Sequence, residues 1–263
     1  NYCLKSEDAK RFDGVVPLSI RRDNPRDMEM IPSDLSEFNI YGGLTRFLNL
    51  VYTPAVAFTG IQTDATVDEK GKESKLIIKG FFANYSTETA ANVNIKIYDP
   101  AGKIIKEENR SLTDFNDADL LSVNIQKPLL WSPSKPNLYS CELTLSSSKG
   151  TMTCKEVFGF RHFKFEEKGP FYLNGERLLL RGTHRHEDHA GVAAAMTEEQ
   201  IVQEMELMKA MGVNFIRLGH YQQSRIVIEA CDRLGILVWE EIPWCRGGLG
   251  GDVYKNQARR MLT

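Results

Sequence analysis

The chain has 263 residues, 42% of them hydrophobic and 26% charged, which suits soluble globular material of about two domains. Its 33 basic and 35 acidic residues leave a formal charge of -2 with no long like-charged block, which argues against nucleic acid or an anionic membrane surface as a partner. No apolar run reaches the ~18 residues of a membrane helix, and residues 1–10 lack the basic-then-apolar order of a signal peptide, so the compartment is left open.

In chain order, residues 1–55 carry two strand-like stretches, 15–20 and 44–52, separated by Pro32 and the pair Gly42 and Gly43. This is too little for a core of its own and is expected to be the end of a preceding β domain. Residues 56–162 read as about seven short strands. Residues 76–82 have β-type content and 93–98 alternate with period two; the turn at 99–102 leads into 103–105, and further strands are expected at 120–125, 138–145 and 151–160. That density of strands with no helical pattern between them fits an immunoglobulin-like sandwich. Cys141 and Cys154 flank one hairpin turn and could face each other. None of the five cysteines, which include Cys3, Cys231 and Cys245, has the C-x-x-C spacing of a zinc or redox site, and reduced structural thiols are the favoured reading.

After residue 170 the period changes. Residues 178–182 form a continuous apolar run expected as a strand buried on both faces. Thr197 and Gln200 have capping-box spacing, Ile201, Met205 and Met208 share a helical face, and Gly212 is placed to end that helix. A strand at 213–218, a helix at 224–234 stopped by Gly235, and a strand at 236–241 complete a β-α-β-α-β pattern. It implies parallel strands in a barrel or a doubly wound sheet. A (β/α)8 barrel needs ~250 residues, so 163–263 would be its N-terminal part only.

In such barrels the strand C-termini carry the site. Here they run into residues 183–189, which include His184, His186, Glu187 and His189, then into His220 and Tyr221, and then into Trp239, Glu240 and Glu241. Solvated histidines, helix caps and a carboxylate partner for Arg217 are the bland alternatives, but convergence on one rim favours a binding site. His184, His186 and His220 could hold a metal. No H-x-x-x-H or H-E-x-x-H helix presets that geometry, so sugar binding ranks above it. Trp239 and Trp244 bracket the third rim loop, and an aromatic face packs against the apolar face of a hexose; core packing is an equal alternative for Trp239. Trp131 is expected to be structural.

These residues resemble a family. Residues 171–189, 215–221 and 231–243 are similar, in order and spacing, to the barrel motifs of glycoside hydrolase family 2, with residues 130–139 and 158–161 similar to its sandwich and 37–46 to the end of its N-terminal jelly roll. The resemblance implies three parts: the C-terminal part of a jelly-roll sugar-binding domain at 1–55, an immunoglobulin-like sandwich at 56–162, and the first part of a TIM barrel at 163–263. It implies a retaining exo-β-glycosidase acting on terminal β-linked sugars, with galactose favoured. β-Glucuronidase, β-mannosidase and a non-catalytic carbohydrate-binding fragment are the alternatives. Carried over by position, His186 and His220 line the sugar subsite, Arg217 supports the pocket, and Glu37 stands where the jelly roll supplies an acidic group to sugar hydroxyls. The two catalytic glutamic acids, ~5 Å apart in such enzymes, are expected beyond Thr263, which would leave this chain inactive alone. No cofactor is expected, and no metal, because residues 244–247 lack the Glu-x-His that some relatives use for magnesium. An open parallel edge would favour self-association, so a homo-oligomer is a possible state.

Overall fold

The structure is a computed structural model and describes residues 18–23, 27–32, 38–244 and 250–262. Seven long strands build the sandwich: β1 (Val56–Val67), β2 (Ser74–Asn84), β3 (Ala91–Tyr98), β4 (Ile104–Leu112) and β5 (Ala118–Val123), then, after the short pair β6 (Trp131–Ser132) and β7 (Lys135–Pro136), β8 (Tyr139–Ser147) and β9 (Gly150–Phe158). One sheet has the order β1-β2-β5 and the other β4-β3-β8-β9, with antiparallel neighbours throughout.

The alternation in β3 explains its placement. Val93, Ile95 and Ile97 are buried and meet Leu143, Cys141 and Leu145 of β8 in the same core as Leu76, Ile78 and Leu120 of the facing sheet. Each such aliphatic side chain gains about 1.5–3 kcal/mol from burial, and a slip of one residue would turn the whole set to solvent. Asp99 builds the β3–β4 turn by accepting from the amides of Ala101 and Lys103, while Gly102 takes a positive φ. The hairpin register sets Cys141 opposite Glu156 and Cys154 opposite Leu143, so the two thiols do not pair across it. Burial pushes the Cys141 thiol up to about 12, which keeps it protonated and inert.

Residues 44–52 are not a strand, nor are the described residues of 15–20; 15–17 lie outside the described residues. Phe47, Leu48, Leu50 and Val51 in the stretch 44–52 are exposed.

Beyond a small antiparallel sheet, β10 (Phe163–Phe165), β11 (Phe171–Leu173) and β12 (Glu176–Arg177), come three parallel strands. These are β13 (Gly182–Arg185), β14 (Phe215–Leu218) and β15 (Leu237–Glu240), connected through α1 (Glu198–Ala210) and α2 (Arg225–Leu234). This is the β-α-β-α-β arrangement of parallel strands expected from sequence.

Helix α1 starts on the capping box of Thr197 and Gln200 and buries Ile201 and Met205; α2 starts on Ser224 and ends on Gly235 in the left-handed conformation. The run 178–182 departs from expectation. The first barrel strand begins only at Gly182, and Leu179 is 67% exposed. Asn214 takes the backbone there instead: its side chain donates to Leu179 O and accepts from the Arg181 amide. A third helix, α3 (Asp252–Leu262), has its first turn capped by the distant Glu29, whose carboxylate accepts from the amides of Gly251 at 2.5 Å and Tyr254 at 2.9 Å.

The sandwich meets the barrel strands at Trp131, which packs with Leu173 and Leu237, while its indole N–H donates to Asp232 O at 2.8 Å. Asn174 bridges the same junction, donating to Trp131 O and accepting from the His162 amide. Among the described residues no helix is long and apolar enough to cross a membrane.

Candidate functional site

Parallel register decides which side chains share a face. His184 pairs with Arg217 and Arg217 with Trp239, so the three stand in one row across β13, β14 and β15. The alternate positions Ile216, Leu218 and Val238 turn toward the helices and join their core. The row is thus the polar face at the strand ends, and the loops leaving β13 and β14 add His186 and His220 to it.

Arg217 is the hub. Its guanidinium grips Glu241 with two bonds, Nε to Oε1 at 2.7 Å and Nη2 to Oε2 at 3.0 Å, a bidentate geometry that lysine cannot reproduce. Nη1 lies 3.1 Å from Nδ1 of His184, and Nδ1 of His220 lies 3.0 Å from both Nη2 and Glu241 Oε2. Burial pushes the Glu241 carboxyl up, but the bonds and charges of Arg217 and His220 outweigh it and hold it below the usual carboxylate range. An ionised Glu241 accepts a hydrogen bond from Nδ1–H of His220, whereas His184 Nδ1, facing a guanidinium that only donates, is the acceptor.

The three imidazoles form a cluster, with ring centres 4.8 Å apart for His184 and His186 and 5.5 Å apart for His186 and His220. Their ring nitrogens lie within 4.8 Å of one another, a spacing a metal could use. The permanent charge of Arg217 beside two of them opposes a dication by like-charge repulsion.

The N-terminal segment closes one side. Phe38 lies 4.9 Å from the Tyr221 ring and 6.1 Å from His220, and the Tyr41 hydroxyl donates to Asp188 at 2.8 Å. That bond raises the Tyr41 phenol, and burial raises that of Tyr221. Between this segment and the rim opens a cleft of about 780 Å3 lined by Phe38, Tyr41, Arg46, His186, Tyr221 and Pro243.

Of the residues singled out from sequence, the structure brings His186, His220 and Arg217 together. Trp239 stands beside Arg217 in the parallel register and is 57% exposed. Glu37 lies outside the described residues, as do 245–247 of the stretch compared with the magnesium site. Phe38, Tyr41 and Glu241 were not singled out as binding residues. Phe38 and Tyr41 sit inside the 37–46 motif that carried the resemblance, and Glu241 had the signal of an acidic strand end beside an arginine.

Comparison with known proteins agrees with this geometry. Residues 56–161 match the family model for glycosyl hydrolases family 2, and residues 165–254 match the one for the TIM barrel domain of the same family. A crystal structure of β-glucuronidase from Parabacteroides merdae is 58% identical with a TM-score of 0.92, covering 98% of this chain and 32% of that one. A putative β-glucuronidase from Formosa agariphila is 41% identical over 95% of this chain and 30% of its own length. A β-galactosidase from Thermoanaerobacterium thermosulfurigenes is 31% identical over 86% of this chain and 32% of its own length. The chain therefore spans about a third of the length of these relatives. With two consecutive family models matched, and matched in the order of the sandwich and barrel built above, the chain belongs to glycoside hydrolase family 2.

Proposed function

We propose that the protein is a β-glucuronidase, a retaining exo-glycosidase that removes terminal β-linked glucuronic acid, and that the rim of β13, β14 and β15 forms part of its sugar subsite. The observation that carries the choice of sugar is the gap in likeness: 58% and 41% identity to proteins named β-glucuronidases against 31% to a β-galactosidase. Galactose, favoured on sequence alone, gives way on that ground.

The rim chemistry supports a polyhydroxylated ligand. Nδ1–H of His220 is given to Glu241 and Nδ1 of His184 accepts from Arg217, which fixes the orientation of two imidazoles at the rim. Oriented imidazoles beside a guanidinium and an aromatic ring are the polar and apolar groups that suit a sugar's O–H groups and its C–H face. The displacement itself needs two carboxyl groups ~5 Å apart flanking the glycosidic bond. Glu241 is committed to Arg217 and His220, so we assign it neither role and place that pair outside these 263 residues.

The test is turnover by protein expressed from the whole gene, with nitrophenyl β-D-glucuronide and nitrophenyl β-D-galactoside side by side. A kcat/KM favouring the glucuronide by about 10⁴-fold is expected, the scale reached when a buried polar site is left without its partner. Preference for the galactoside would reverse the assignment, and turnover of neither would remove it.

A further inference from the structure

Glu187 is a carboxylate with only 4% of its side chain exposed, one residue past His186. Its oxygens accept from the Ser224 amide at 2.6 Å, at the start of α2, and from the half-exposed guanidinium of Arg46, Nε at 3.2 Å and Nη2 at 3.4 Å. Its own amide donates to the Tyr221 hydroxyl at 3.0 Å. Arg46 also donates from Nη2 to Gln222 O at 2.7 Å. One guanidinium from the N-terminal segment therefore ties together the loop after β13, which carries His186, and the loop after β14, which carries His220.

We propose that Arg46 and Glu187 are a positioning pair for the sugar subsite: Arg46, supplied from outside the barrel, locks the two histidine loops in register with each other. Two features make this more than local packing. Glu187 is buried, and among the described residues Arg46 is the cation that bonds to its carboxyl group. The second bond of Arg46, to Gln222 O, reaches the other loop directly, so losing the arginine removes the outer tie between the loops and leaves only the bonds of Glu187 to the Ser224 amide and the Tyr221 hydroxyl to hold them. The inference rests on the sugar-subsite reading above and adds to it a placing role for the N-terminal segment.

The experiment uses whole-gene protein carrying Arg46→Ala, Arg46→Lys, Glu187→Gln and the double change Arg46→Ala with Glu187→Gln. Two readouts are followed: hydrogen exchange of peptides spanning 186–189 and 219–224, and kcat and KM on nitrophenyl β-D-glucuronide. Arg46→Ala is expected to speed exchange in both loops and lower kcat/KM by at least about tenfold, the order expected when reacting groups are misplaced from a distance. Arg46→Lys, which restores the charge but cannot span both loops, should recover the exchange of one loop and only part of the activity. The double variant should lose no more than the worse single one, because the pair acts as a unit. Unchanged exchange in the two loops, or losses that simply add, would overturn the proposal. If the unsubstituted protein turns over no glucuronide, the functional reading fails, and exchange alone still decides whether the pair locks the loops.

Discussion

Arg217 and Glu241 show how one ion pair fixes the protonation of a whole rim. Glu241 is held below the ordinary carboxylate range because its anion receives bonds from a guanidinium and an imidazole. A depressed folded value means the contribution to stability is present above the unfolded carboxylate value and is lost as pH falls through the lower folded one. Glu241→Gln should cost about 1–2 kcal/mol near neutrality, discounted because Arg217 is partly exposed, and should make stability less steeply dependent on pH in the acid range below the ordinary carboxylate value. Thermal melts of both proteins from neutral to acid pH check this; parallel curves would refute it. The same substitution frees His220 to change tautomer, so sugar affinity should fall with stability. The rim could be read from sequence because three strands in succession end in ionisable residues. The ion pair itself depended on a register of parallel strands that no local pattern encodes.

At the scale of elements, the legible parts are those whose signal is local. Capping residues sit at the ends they specify: Thr197 and Gln200 open α1, and Ser224 and Gly235 bound α2. Gly235 carries two constraints, a φ of +71° and a carbonyl oxygen of Pro133 that would lie 2.7 Å from an added Cβ. Gly235→Ala should therefore destabilise the protein by about 1–3 kcal/mol in urea unfolding, more than the loss of a glycine's freedom could offset. A neutral or stabilising result would mean that the α2 end and the Pro133 turn shift apart freely. What sequence misplaced had distant causes. Leu179 and Leu180 read as a buried strand, yet the Asn214 side chain holds that backbone outside the ladder. Helix α3 is capped by a glutamate more than 200 positions earlier, which leaves no capping box to find.

Across the whole molecule, two contacts from outside the barrel shape its rim. The sandwich anchors the base of the strands through Trp131 and Asn174, and the segment 38–46 leans over their C-terminal ends through Phe38, Tyr41 and Arg46. Family and architecture were legible because motif order and spacing survive where single residues vary. The identity of the sugar was not, since histidine and arginine address hydroxyls that hexoses share, and only likeness to β-glucuronidases separates the readings. The most direct measurement is a crystal structure of the whole-gene protein with β-D-glucuronic acid bound. The expected result places the sugar ring within hydrogen-bond distance of His186 and His220, with Arg217 still gripping Glu241 behind them. A sugar seated elsewhere, leaving this imidazole cluster untouched, would contradict the account.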